Sequence, residues 1–124
     1  MYKDILNHDS THKYWIIKID DKIVGIVYIY GYSYRYKKCS LGFGLLPSYR
    51  GNKQSTKIVN KFCDFLHQSY NIIRIQVDIE AENKTCIKWF DKYHNDMGFT
   101  YECDANNYQG EGVTVKIYSN CSTK

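Results

Sequence analysis

Between Lys53 and Ile79 the hydrophobic period changes twice, and this limits the folds open to the chain more than any other feature. Ser55, Ile58, Val59, Phe62, Phe65, Leu66 and Tyr70 recur at spacings of three and four, one apolar face of a helix of about five turns. From Asn71 to Ile79 the period falls to two: Ile73, Ile75, Val77 and Ile79 alternate with Arg74, Gln76 and Asp78. Ahead of the helix, Tyr36–Leu46 has strand composition. Pro47-Ser48-Tyr49-Arg50-Gly51 ends it, because Pro47 removes a ladder donor and Gly51 loosens the backbone. Strand, helix and strand in succession imply a parallel pair joined by a crossover.

Antiparallel hairpins flank this unit. Lys13–Ile19 and Ile23–Tyr30 are rich in β-formers and stand on either side of the polar break Asp20-Asp21-Lys22. Asn83 is placed as the N-cap of a second helix in which Cys86, Ile87, Phe90, Tyr93 and Met97 keep helical spacing, with Gly98 at its end. Phe99–Cys103 and Val113–Tyr118 form a last hairpin, with Val113, Val115 and Ile117 on one face. The order β-β-β-α-β-α-β-β predicts a mixed α/β class: helices on a central, mostly antiparallel, twisted sheet with one parallel pair. The 124 residues make a single domain, with 1–12 as a short N-terminal segment and 13–119 as the core.

Composition excludes several classes. The net charge of +4 mildly favours anionic partners such as nucleic acid or phosphorylated cofactors, but it comes without blocks of like charge, so there is no basic tail and nucleic acid is not the partner expected. The longest apolar stretch, Ile23 to Tyr32, is about ten residues where a membrane span needs roughly 20. The amino end lacks an apolar signal core, so a soluble, cytoplasmic chain is expected. Fourteen lysines against three arginines, with 14 isoleucines and 13 tyrosines, have the bias of an AT-rich genome. Five cysteines with no CxxC spacing read as reduced thiols, not a zinc ribbon. His8 and His12 are four apart, but Asp, Ser and Thr lie between them, and they read as a solvated loop; no metal is expected.

Chemistry is concentrated in two stretches. In Leu41–Ser55 (LGFGLLPSYRGNKQS) a strand turns through Arg50-Gly51 straight into a helix, whose free N–H groups and partial positive charge suit a phosphate. An ordinary strand-to-helix loop is written in the same residues. The second stretch is Val77-Asp78-Ile79-Glu80-Ala81-Glu82-Asn83, followed by a helix and Met97-Gly98-Phe99.

Together these stretches resemble the GNAT N-acetyltransferase superfamily over residues 13–119, as a small, N-terminally truncated member. The resemblance implies that the parallel strands splay and hold acetyl-CoA between them. It makes the first stretch the pyrophosphate loop, Arg/Gln-x-x-Gly-x-Gly/Ala, held here by Arg50, Gly51, Asn52, Lys53, Gln54 and Ser55. Lys53 stands where the first motif glycine is expected, and Ser55 at the Gly/Ala position. Leu45 and Leu46 would offer strand backbone to the pantetheine amides, and Asn83 matches the asparagine that holds the pantetheine arm. Cys86 replaces a small alanine.

The implied activity is acetyl transfer from acetyl-CoA to an amine, the acceptor being an unknown protein or small molecule. The glutamate that family members often carry ahead of the loop is missing from Lys37-Lys38-Cys39-Ser40-Leu41, so Asp78 or Glu80 is the candidate base. The proton-donating tyrosine falls at Phe90, which leaves Tyr93, one turn on, as the candidate acid. Solvated carboxylates and a packing tyrosine are the plainer readings of these three. The alternative function is a catalytically impaired GNAT-like module, encoded by a phage or mobile element, that binds a host protein. An oligomer stays open.

Family members usually begin with a strand and two helices over the acceptor cleft, and the short amino end here has no counterpart for them. Tyr28, Tyr30, Tyr32, Tyr34 and Tyr36 alternate beside Arg35, Lys37 and Lys38. They read as a half-buried sheet face under a helix, with a turn near Gly31 and Ser33, in preference to a nucleotide-stacking surface.

Overall fold

The computed structural model describes residues 2–9 (backbone), 12–50, 53–108 and 110–122. Its strands are β1 (Tyr2–Asp9), β2 (His12–Ile19), β3 (Lys22–Ser33), β4 (Lys38–Leu45), β5 (Arg74–Glu80), β6 (Thr100–Ala105) and β7 (Val115–Cys121). Helices α1 (Lys53–Ser69) and α2 (Lys84–Tyr93) and a 3-10 turn over Pro47–Tyr49 complete the described elements. The seven strands form one sheet in the order β1-β2-β3-β4-β5-β7-β6. Only β4 and β5 among these neighbours run parallel, with α1 as their crossover.

Local chemistry explains most boundaries. Asp20 and Asp21 sit at φ 51° and 64°, the left-handed pair that a tight two-residue hairpin demands and that aspartate tolerates. Pro47 closes β4 as expected. The Asn83 side chain caps α2 by accepting from the Cys86 N–H at 3.3 Å. That helix stops at Tyr93, short of the expected Met97. A chain of turn hydrogen bonds carries residues 94–98 to Gly98, where φ is +78°.

The core lies between the helices and one face of the sheet. Ile58, Val59, Phe62, Cys63 and Leu66 of α1 are buried against it. Trp15 of β2 meets Phe62, Phe65 and Tyr70 edge-on, with centroids at 5.2, 6.0 and 5.7 Å. Phe90 of α2 is fully buried against Phe99 and Tyr118. Ile75, Val77 and Ile79 put the apolar side of β5 into this core, which leaves Arg74, Gln76 and Asp78 on the second face.

Two expectations need correction. Residues 2–9 are not a lead-in segment. They form β1, antiparallel to β2, and only residues 10–11 separate the two. His8 and His12 therefore belong to strands, not to a solvated loop. The order becomes β-β-β-β-α-β-α-β-β, and two residues leave no room between β1 and β2 for a pair of covering helices. The tyrosine run also differs. Gly31, at φ +59°, breaks the register between Tyr30 and Ser33. Tyr28 and Tyr30 stay half-buried on the second face, away from both helices, with ring centroids 6.2 Å apart. Tyr32 packs on the core, while Tyr34 and Tyr36 are exposed in the following turn.

Candidate active site

β4 and β5 pair only at Lys38–Arg74, Cys39–Ile75 and Ser40–Gln76 and then part. The rest of β4 stays with β3, and the rest of β5 with β7. A parallel pair that opens this way leaves strand backbone facing a gap, where hydrogen bonds must come from elsewhere.

Beside the gap lies a cavity of about 730 Å³, within the range of small-molecule sites. Its strand wall is Phe43, Gly44 and Leu45, beyond the point of parting. Its helix wall is Asn83, Thr85, Cys86, Lys88, Trp89, Lys92 and Tyr93, and Arg50 closes one side. Arg50 donates from Nε to the Leu45 carbonyl at 2.7 Å. Trp89 packs edge-on against Phe43 at 5.4 Å, and its Nε1 is buried with no acceptor among the described residues. Burial pushes the Cys86 thiol above its usual range. Arg50, Lys88 and Lys92 make this wall cationic, and Lys92 also stands 5.2 Å from the Tyr93 ring centre. Such a wall suits a ligand that carries negative charge.

Of the residues singled out in the sequence, Leu45, Arg50, Asn83 and Tyr93 meet around this cavity. Leu46 does not line it. Its side chain is exposed, and its N–H is bonded to the Val24 carbonyl at 2.8 Å, so its donor serves the sheet. Lys53 and Gln54 are exposed in the first turn of α1. Lys53 lines a groove of about 320 Å³ with Lys57, Lys61 and Asp96. Ser55 is fully buried, at a place where bulk would not fit. Gly51 and Asn52 lie outside the described residues. Phe43, Thr85, Lys88, Trp89 and Lys92 were not singled out. Their signal was available on α2, where Thr85, Lys88, Trp89 and Lys92 follow the three–four spacing of a single helix face.

Asp78 is not on the cavity wall. It lies on the second face, where a hydrogen-bonded series crosses three strands. Glu102 of β6 takes two hydrogen bonds from Arg74, at 2.8 and 2.7 Å, and one from the Ser119 hydroxyl. Arg74 Nη2 also donates to Gln76 Oε1, and Gln76 Nε2 donates to Asp78 Oδ1, both at 2.8 Å. Tyr108, from the β6–β7 loop, brings its hydroxyl to 3.4 Å from Gln76 Nε2. Tyr30 is hydrogen-bonded to Ser40; burial, and then the Asp78 charge, hold its phenol above the usual range. Hydrogen bonds from Arg74 and then Ser119 bring the Glu102 carboxyl down to about 2. Glu80 is exposed at the end of β5. Among the described residues no three His, Cys, Asp or Glu side chains converge to hold a metal ion.

The sheet opens at one parallel pair, with a cationic cavity beside the opening and the Asp78 carboxylate on the far face. The family model described as "Acetyltransferase (GNAT) family" matches residues 1–95, and the chain belongs to that family. It is thus an acetyl-CoA-dependent acyltransferase that moves an acetyl group to an amine. Among solved structures, a variant of spermidine N-acetyltransferase SpeG from Vibrio cholerae superposes with a TM-score of 0.74 at 17% identity, covering 92% of this chain and 68% of that one. SpeG in complex with CoA and spermine gives a TM-score of 0.74 at 16% identity, covering 94% and 69%. These likenesses are of fold. A sequence comparison with curated proteins gave no match. No helix among the described residues is long and apolar enough to cross a membrane.

Proposed function

We propose that the chain binds acetyl-CoA between β4 and α2 and acetylates a cationic amine that approaches from the second face. The parting of β4 and β5 after Ser40 and Gln76, with the cavity on one side and Asp78 on the other, carries this reading. Arg50, with Gly51, Asn52, Lys53, Gln54 and Ser55, would hold the pyrophosphate through side-chain charge and the positive end of the α1 dipole. Leu45 and Asn83 would meet the pantetheine arm. Bound acetyl-CoA supplies the acetyl group, activated as a thioester. Asp78, or Glu80 as second choice, takes the proton from the incoming ammonium and frees its lone pair, which attacks the thioester carbonyl. As the C–S bond breaks, Tyr93, on the cavity wall, gives its proton to the departing thiolate, and the proton shed by the new amide nitrogen returns through solvent to Tyr93.

Tyr30 beside Asp78, with Tyr28 near Tyr30 and Tyr108 at Gln76, supports a cationic acceptor, since aromatic faces and a carboxylate both attract an ammonium. The solved relatives named above are spermidine N-acetyltransferases, so spermidine is the first acceptor to try. The five unpaired cysteines support a reducing, cytoplasmic setting. Acetyl-CoA should raise the melting temperature, and spermidine or another amine should then trigger CoA release. No thermal shift at millimolar acetyl-CoA would sink the proposal. A shift without release to any amine would favour a binding module.

A further inference from the structure

We infer that Gln76 is a positioning residue: it aims the Asp78 carboxylate, and Arg74 and Glu102 lock it in the orientation that lets it do so. The inference rests on Asp78 as the proposed base, and it goes beyond that reading to the neighbours that make the base effective. Arg74, Gln76 and Asp78 sit at alternate positions of β5, so all three project from one face. An amide side chain can present either end, and its orientation is usually ambiguous. Here chemistry removes the ambiguity. The guanidinium has donors only, so the end of Gln76 that meets Arg74 at 2.8 Å must be the oxygen. That leaves Nε2 as the donor to Asp78 Oδ1. Arg74 cannot swing away, because Glu102 grips it through two hydrogen bonds and is itself held by Ser119.

The series begins on β6 and β7 and ends on β5, two residues beyond the last β4–β5 pair. Among the described residues, orientation is passed to the carboxylate by a neutral group and no cation is paired with it. Gln76 engages Oδ1 of Asp78, which directs an incoming ammonium to Oδ2. The transfer of the proton to that oxygen involves no change at Gln76, which neither gains nor loses a proton.

A surface network that merely stiffens the sheet would have the same bonds, so the test must separate the two. Steady-state rates are measured with acetyl-CoA and spermidine, or the amine a panel shows to be accepted, for D78N, Q76L, R74L and the Q76L/D78N double variant. Melting temperatures serve as controls. D78N should lower kcat by about 100-fold or more. Q76L and R74L should each lower kcat by about 10-fold and leave the KM for acetyl-CoA unchanged. In the D78N background Q76L should cost nothing further, because its effect runs through Asp78. If Q76L does not fold, Gln76→Met, close in size, neutral and without the donor, should show the same dependence on Asp78.

Wild-type kcat in Q76L, or the same loss in both backgrounds, overturns the positioning role while leaving Asp78 as the base. Wild-type kcat in D78N overturns the base and the positioning role together. So does the absence of amine-dependent CoA release from the native chain.

Discussion

Arg50 donates its Nε proton to the backbone carbonyl of Leu45 at 2.7 Å, so the arginine proposed to meet phosphate is tied to the strand that walls the cavity. The tie spans the 3-10 turn over Pro47–Tyr49. It leaves the guanidinium's remaining donors for a ligand.

Removing Arg50 should therefore weaken cofactor binding twice over, through lost charge and a loosened loop. R50A should raise the Kd for acetyl-CoA by roughly 10-fold or more, since a hydrogen bond to a charged group contributes about 1.5–3 kcal/mol. R50K keeps the charge but not the planar fork and should recover only part of it. Calorimetric titration checks this; equal affinity in all three proteins would remove Arg50 from the site.

Phe90 and Tyr93 divide a role that the family resemblance puts on one residue. Phe90 is fully buried, with ring centroids of Trp89, Phe99 and Tyr118 at 5.3, 5.6 and 4.9 Å. Adding a hydroxyl in F90Y should destabilise by about 1–3 kcal/mol, because the oxygen enters a cluster of rings, and should not raise kcat. Y93F should lower kcat by roughly 10-fold or more without changing acetyl-CoA affinity. Undiminished turnover in Y93F would take the acid role from Tyr93. A faster F90Y enzyme would mean that the thiolate reaches Phe90.

What could be read from the sequence was local. The Asp20-Asp21 hairpin, the amphipathic face of α1 and the Asn83 cap each depend on residues within a turn or two of one another, and each stands as expected. β1 was not legible because Tyr2–Asp9 lacks a two-residue alternation; its strand state comes from pairing with β2 at the sheet edge. Asp78 was legible as a candidate, but its surroundings were not. Glu102 lies 28 residues from Arg74 and reaches it only because β7 and β6 follow β5 in the sheet. The position of Leu46 was not legible for a similar reason: whether its backbone faces the gap or the sheet depends on the β3–β4 register.

Two glycines in neighbouring strands should respond oppositely to alanine. A Cβ on Gly25 would fall 2.5 Å from the Gly44 carbonyl oxygen, which is backbone and cannot yield cheaply. G25A should destabilise by about 1–3 kcal/mol and disturb β4 at the cavity wall. A Cβ on Gly42 would run into the ring of Tyr28, the far end of a side chain that can swing aside. G42A should fold well, leave acetyl-CoA binding intact and shift the KM for the amine, because Tyr28 must move on the second face. An unchanged amine KM in a folded G42A protein would exclude Tyr28 from acceptor binding.

Glu102 sets a pH dependence whose sign follows from its depressed acidity. Its carboxyl falls from the ordinary 4.5 to about 2, first through the hydrogen bonds from Arg74 and then through that from Ser119. The folded state thus favours the ionised form. Its contribution is fully present above about pH 4.5 and is lost as the pH falls toward about 2. The pair is solvent-accessible, so screening reduces the contribution to about 0.2–1 kcal/mol. E102Q removes the charge and keeps an acceptor for Arg74. Urea unfolding of the native chain and E102Q should differ most at neutral pH, and the difference should shrink through the acid window. Added salt should shrink it as well. A difference that stays constant from neutral pH to about pH 2 would mean that the loss in E102Q is one of packing, and that the Arg74–Glu102 charge pair contributes nothing to holding the second face together.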